Sequence, residues 1–423
     1  MKRLVAISAH LLGAASALNP FSAGLLPSTA QQECFLHYSL TRAATATPAA
    51  PVMLWIQGGP GLSAQIGNFF EIGNEQIDAK TGDLIARPEA RRWSEFAHML
   101  FLDAPEGSGF SYCVSSASLP RSSEEVAVHV RFALEEFFSR FEDLAQSKLI
   151  LAGEDYAGHI LPPLAAHLAK HPLKNAQLAG LMIGNGHTHP VSQVLTRPES
   201  AKYFGLVEGD CYNDAYGFAT AASFLAAIGR FDASFDMRSK LEATVKQCAQ
   251  GVNLNDVRTT EDYEAEIRRT LDAFMNSEHG KQLMGVAGTE RSFQTHNPEV
   301  ILTMKSDVMR SVASHVAQVL DADIPVLLYQ GLFDWIDGVF SNEQWILDLE
   351  WRGQARYNRV ERTSWTNGDG NIVGFRREYG PLAQVTIRNA GHSVPLTQPD
   401  VAFVLAKDFV DKVRKRDRPT KVV

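Results

Sequence analysis

The chain has 423 residues, 45% of them hydrophobic, which suffices for one large α/β domain with an insertion or for two domains. Its formal net charge is −8 and no basic run is interleaved with aromatic residues, so the electrostatic footprint of a nucleic-acid binder is missing. No internal repeat or low-complexity tract interrupts the globular texture.

Met1-Lys2-Arg3, the apolar stretch from Leu4 to Leu12 and the small-residue site Ala15-Ser16-Ala17 have the layout of a secretory signal peptide over residues 1–17, cleaved after Ala17. No later run approaches the length of a membrane span, so no transmembrane segment is expected. The mature protein is expected to be secreted or to lie in the lumen of the secretory or vacuolar pathway. Four cysteines, Cys34, Cys113, Cys211 and Cys248, fit two disulfides in such an oxidising compartment, with three connectivities open. Cys211 with Cys248 is favoured because both lie in the same middle segment, and buried free thiols are the alternative. The cysteine spacing suits no metal site, no N-x-[ST] sequon is present, and the basic end from Lys412 to Lys421 reads as a solvated tail.

Along the chain, residues 52–56, 98–102, 149–151, 178–183 and 325–329 read as short apolar strands, with helical patterns at 124–140 and 159–170 between some of them. That alternation predicts a mostly parallel sheet covered on both faces, with functional residues at the carboxyl ends of its strands. The texture changes from 187 to 318, where helical spacing at 218–229, 235–250, 260–275 and 300–319 predicts a helical insertion over the sheet.

The most informative segment is Leu151-Ala152-Gly153-Glu154-Asp155-Tyr156-Ala157-Gly158-His159. An apolar strand enters it, a helical pattern leaves it, and Gly153 and Gly158 allow a sharp turn between them. A corner of this kind presents one side chain, here Asp155, at the top of the sheet.

Several longer motifs occur in a fixed order: Trp55-Ile56-Gln57-Gly58-Gly59-Pro60-Gly61-Leu62-Ser63, Leu100-Phe101-Leu102-Asp103-Ala104-Pro105 with Gly107-Ser108-Gly109-Phe110-Ser111-Tyr112, Gly153-Glu154-Asp155-Tyr156-Ala157-Gly158, Ile183-Gly184-Asn185-Gly186, Gly331-Leu332-Phe333-Asp334 and Gly391-His392-Ser393-Val394-Pro395. Together they resemble the serine carboxypeptidase family of the α/β-hydrolase superfamily over nearly the whole mature chain. The resemblance implies an α/β-hydrolase fold, a mostly parallel central sheet with a helical cap insertion. Residues 18–186 and 319–423 would form the core and 187–318 the cap.

It also implies that the order Asp155, Asp334, His392 stands for nucleophile, acid and base, that the amides of Gly59 and Tyr156 form an oxyanion hole, and that Gln57, Gly58 and Glu154 contact substrate. The acid remains open between Asp334, favoured by motif alignment, and its neighbour Asp337. No metal and no cofactor is implied.

Four positions depart from the family pattern. Asp155 stands where the family has serine, and no other serine elbow occurs in the chain. Gln57 replaces the asparagine that helps hold a peptide's terminal carboxylate, while Glu154, its usual partner, is retained. Leu62 and Asp337 replace two common cysteines.

An aspartate attacking a peptide carbonyl would form an anhydride, and the tetrahedral intermediate would expel the carboxylate in preference to the amine, so amide hydrolysis by that route is not expected. At a saturated carbon the same carboxylate displaces an epoxide oxygen or a halide, and as an acid or base it could serve a dehydration or isomerisation. The favoured expectation is therefore a repurposed hydrolase using Asp155 and His392 on a small molecule. The alternatives are a catalytically inactive binder of peptides or of a partner protein, and a residual carboxypeptidase or esterase. An enclosed apolar cavity at Asp155 would favour small-molecule chemistry and an open groove would favour peptide binding. Substrate, pathway and oligomeric state leave no recognisable pattern in the chain.

Overall fold

Successive residues of a strand point to opposite faces, and in the central strands of this protein both faces are apolar. In Val52–Ile56, Val52, Leu54 and Ile56 enter one buried cluster while Met53 and Trp55 enter another. Ser147–Glu154 and Val326–Gly331 divide in the same alternation, with Leu149, Leu151, Val326 and Leu328 on one side and Ile150, Ala152, Leu327 and Tyr329 on the other. Each of these side chains contributes roughly 1.5–3 kcal/mol by leaving water, so a sheet buried on both faces is strongly specified.

The computed structural model describes residues 21–44 and 50–416; the expected signal peptide and its cleavage after Ala17 lie outside the described residues. The main sheet has eleven strands. Its centre runs His98–Leu102, Val52–Ile56, Ser147–Glu154, Ala176–Gly184, Val326–Gly331 and Leu382–Ile387, each parallel to its neighbours. Antiparallel strands complete both ends: Cys34–Thr41 and Phe21–Pro27 on one, Ile372–Tyr379 and Thr363–Thr366 on the other. The α/β-hydrolase expectation is thus met.

Helices Ser123–Arg140, Ala157–Lys170, Ala313–Asp321 and Val339–Asp348 cover one face, and Pro399–Lys415 covers the other. The first begins where the Ser122 hydroxyl accepts from the Glu125 amide, with Glu124 and Glu125 in its first turn and Arg140 in its last. Its buried Val126, Val130, Leu134 and Phe137 fall at helical spacing on the core side. In Ala157–Lys170, Pro162 has no N–H to give the Gly158 carbonyl, and the Thr188 hydroxyl takes that carbonyl at 3.0 Å instead. The described part of the basic end departs from the solvated tail expected of it, since Lys412 pairs with Glu378 and Val413 is buried within the last turn of Pro399–Lys415, while residues 417–421 lie outside the described residues.

Between Ala176–Gly184 and Val326–Gly331 the described chain is mostly helical, led by Pro190–Tyr203, Gly209–Ala227, Phe231–Cys248 and Tyr263–Asn276. The single helix expected at 300–319 is instead three pieces, Pro298–Thr303, Lys305–Val308 and Ala313–Asp321. Tertiary bonds replace helical continuity there. The Asp307 carboxylate accepts from the Tyr156 hydroxyl at 2.8 Å and the Ser123 amide at 3.0 Å, and the Val312 amide donates to the Thr188 carbonyl at 3.0 Å. No described helix is long and apolar enough to cross a membrane.

Both disulfides form, Cys34 with Cys113 and Cys211 with Cys248. The second staples Gly209–Ala227 to Phe231–Cys248 across a sequence separation of 37. A loop of that length predicts that Cys211→Ser with Cys248→Ser lowers unfolding stability by roughly 3–4 kcal/mol, read from urea denaturation under non-reducing conditions. A loss below about 1 kcal/mol would mean that the helical packing alone constrains this segment.

Candidate active site

The corner at Asp155 is held from both sides. Its amide donates to the Gly184 carbonyl at 3.1 Å, and its own carbonyl accepts from the amides of Gly158 and His187, each at 2.9 Å. Asp155 has φ of 56°, the left-handed region that a residue with a side chain enters only under constraint. The turn closes tightly, since a Cβ on Gly158 would lie 2.8 Å from the Gly186 Cα.

The constraint aims the Asp155 carboxylate at two groups. Oδ2 accepts from the Gly59 amide at 2.6 Å, and Oδ1 stands 3.8 Å from His392 Nε2, an ion-pair distance beyond hydrogen-bond reach. Gly58 must lack a side chain here, because a Cβ would fall 2.1 Å from Asp155 Oδ2. Tyr156 follows in the corner, and its hydroxyl points away to Asp307.

On the far side of His392, Nδ1 is 2.8 Å from Asp334 Oδ2. That carboxylate also accepts from Asn185 Nδ2 at 2.7 Å and from the amides of Ile336 and Asp337 at 2.7 and 3.1 Å. Of the two acids left open by the sequence, Asp334 is therefore the one that contacts His392. Asp337 turns the other way, toward Gln193 at 3.0 Å, Arg197 at 3.4 Å and His187 at 3.5 Å. Although burial opposes its ionisation, His187 and Arg197 hold Asp337 well below the usual carboxylate range.

His392 thus lies between carboxylates. Burial disfavours its charge, but Asp334, then Asp155 and Glu154, carry its pKa well above the ordinary histidine value. Burial raises Asp155 as well, with the His392 charge pulling it back.

Glu154 belongs to a second cluster. Its Oε1 accepts from Gln57 Nε2 at 2.7 Å and from the Ser393 hydroxyl at 2.8 Å, and the Gln57 carbonyl oxygen accepts from Trp55 Nε1 at 2.8 Å. Facing it is Glu71, a buried residue that the sequence reading missed, whose neighbours are Glu154 and Gln57 and whose two carboxyl oxygens are buried. Burial first, and then the neighbouring carboxyl, push Glu71 well above the usual range; burial also raises Glu154. Two neighbouring carboxyls in a buried setting cannot both ionise cheaply, so the neutral form of one is favoured. No motif marks Glu71, and a lone acid among Phe69, Phe70 and Ile72 was its only sequence signal.

These groups open onto one cleft of roughly 650 Å³ that includes open solvent. Leu62, Ile66, Ile267 and Leu396 line it with apolar surface, and Gln57, Glu71, Glu154, Asp155, Tyr263 and His392 line it with polar groups. The helix Tyr263–Asn276 supplies one side, and the Asn255 carbonyl fixes the opposite loop by accepting from the His392 amide at 2.7 Å.

The profile of the serine carboxypeptidase family matches residues 19–412. A protein named serine carboxypeptidase-like 50 from Arabidopsis thaliana is 32% identical over 380 residues, covering 89% of this chain and 84% of that one. The chain belongs to the serine carboxypeptidase family. A vacuolar serine-type carboxypeptidase of Saccharomyces cerevisiae is 28% identical over 85% of this family member and 73% of its own length. The crystal structure of a prohormone-processing carboxypeptidase from the same yeast shares the fold, with a TM-score of 0.82 at 18% identity, covering 93% of this chain and 92% of that one.

The arrangement predicts that His392 stays protonated well above pH 6.5, its ordinary value. Its folded pKa is raised, so the stability that the ion cluster contributes is fully present below the unfolded pKa and is lost as pH rises through the folded one. Histidine resonances followed by NMR should show His392 titrating last among the accessible histidines, with Asp155→Asn moving its pKa down. A wild-type His392 titrating near 6.5 would contradict this charge arrangement.

Proposed function

We propose that this family member is a receptor for molecules bearing a terminal carboxylate, peptide C-termini in particular, and that it does not run acyl-enzyme chemistry. The observation that carries the reading is the 2.6 Å bond from the Gly59 amide to Asp155 Oδ2. An amide that would stabilise a developing oxyanion is taken by the protein's own carboxylate, and an arriving carbonyl oxygen would meet a fixed negative charge. The His392 imidazolium has no free lone pair with which to take a proton from water. By contrast Gln57, Glu154 and Glu71 form an intact buried cluster in which a protonated carboxyl and an amide can donate to a bound carboxylate. The charged start, apolar stretch and small-residue site of residues 1–17, together with two disulfides, support a secreted or lumenal location, which N-terminal sequencing of secreted protein beginning near Leu18 would check.

The repurposed-hydrolase reading keeps one supporting observation. With Oδ2 held by Gly59 and Oδ1 turned toward His392, an alkyl ester formed through Oδ1 would leave its carbonyl oxygen at the amide, where hydrolysis needs it. The cleft weighs the other way: several charged groups line it and its volume includes open solvent, where alkyl transfer calls for an enclosed apolar pocket. A mass adduct on Asp155 after incubation with an epoxide or alkyl halide would favour that second reading.

The binding reading predicts micromolar capture of short peptides with a free C-terminus, measured by calorimetry, and a loss of about tenfold or more on C-terminal amidation, that is about 1.4 kcal/mol. Glu154→Ala should weaken binding by a similar factor. Affinity should be highest at acidic pH and fall as pH rises through the raised pKa of the Glu71–Glu154 pair, because losing the proton of the neutral carboxyl removes a donor and adds a repelling charge. Equal binding of free and amidated peptides would sink the reading.

A further inference from the structure

We propose that Arg268 sets the selectivity of this cleft and that the protein prefers peptides whose last residue is aspartate or glutamate, the side-chain carboxylate pairing with the Arg268 guanidinium. The inference rests on the carboxylate-binding reading above and deepens it by naming the ligand class.

Arg268 stands on Tyr263–Asn276, beside the buried Ile267, and lines the same cleft as Asp155 and the Glu71–Glu154 pair. It forms no ion pair among the described residues. The acids around it are all engaged elsewhere. Glu264, one helical turn earlier, accepts from Asn253 Nδ2 on Oε2 at 3.1 Å and from Asn255 Nδ2 on Oε1 at 2.9 Å. Asp155 is met by the Gly59 amide and by His392, and Glu71 faces Glu154.

Counting carboxylates alone would suggest a cleft for basic ligands, but the lining carboxylates already have donors or neighbours of their own, Glu264 taking two asparagine amides. Arg268 is the lining cation without an ion pair among the described residues, and a guanidinium presents a fork that fits a carboxylate in two-bond geometry. A ligand anchored by its terminal carboxylate at the Glu71–Glu154 end would carry its last side chain along the wall that Ile267 and Arg268 form. An acidic side chain there adds a charge-assisted contact, and a basic one meets the guanidinium with like charge.

The test uses the full mature protein and a set of otherwise identical peptides ending in glutamate, leucine or lysine, each as free acid and as C-terminal amide, with affinity read by fluorescence polarisation. Arg268→Gln and Arg268→Glu serve as variants, since a half-exposed helix position tolerates both. The expected result is about tenfold tighter binding of the glutamate peptide than of the leucine peptide. That preference should vanish in Arg268→Gln and turn toward lysine in Arg268→Glu, with amidation weakening every peptide alike. Free-acid peptides that bind with one affinity regardless of their last residue, yet are lost on amidation, would overturn the role of Arg268 and leave the carboxylate receptor standing. Peptides that bind neither as acids nor as amides would overturn both.

Discussion

A carboxylate held against a backbone amide at the end of a strand is the contact on which the rest of this site depends. Asp155 Oδ2 reaches the Gly59 amide because the corner is forced into a left-handed conformation and because Gly58 has no Cβ to obstruct it. That placement puts a second negative charge beside His392, which already has Asp334 as its partner. Two anions around one imidazole favour the imidazolium, and the surplus negative charge is spread over the amides of Gly59, Ile336 and Asp337 and the Asn185 side chain. In the proposed receptor, a triad that would pass a proton back and forth serves as a static ion cluster.

The helical insertion is fastened to the core around this cluster rather than hung over it, and two of the bonds lie on opposite sides of the corner. Asp307 reaches down to the Tyr156 hydroxyl and the Ser123 amide, behind the corner, while the Asn255 carbonyl holds the His392 loop in front. Both are buried or partly buried bonds between distant parts of the chain, so opening the cleft by moving the insertion as a body would break them together. The cleft between these two fastenings is consequently a formed feature, with the Glu71–Glu154 pair at one end and Arg268 on its wall.

Much of the centre of the fold was legible in the sequence, because strands buried on both faces appear as unbroken apolar runs such as 52–56 and 149–151. The sheet's edges were not. In Cys34–Thr41, His37, Ser39 and Thr41 are buried, with Ser39 bonded to Gln65 and His37 to the Met284 carbonyl, so hydrogen bonding does there what hydrophobicity does in the centre. The broken helices between 298 and 321 were hidden for a related reason, since Asp307 serves Tyr156 and Ser123 from far away in sequence. In the site, the motif residues Gln57, Gly58, Gly59, Glu154, Asp155, Asp334 and His392 lie near one another. Glu71 and Arg268 had no motif to announce them, and only the folded chain shows the one facing Glu154 and the other lining the same cleft.

The most direct test of the central claim, that Asp155 itself fills the anion site and fixes His392 as a cation, is labelling by a fluorophosphonate probe in the wild type and in Asp155→Ser. The account predicts no His392-dependent labelling of the wild type. It predicts measurable labelling of Asp155→Ser, because removing the carboxylate frees the Gly59 amide, lowers the His392 pKa and supplies the hydroxyl in one step. Stoichiometric wild-type labelling that is abolished by His392→Ala would contradict it.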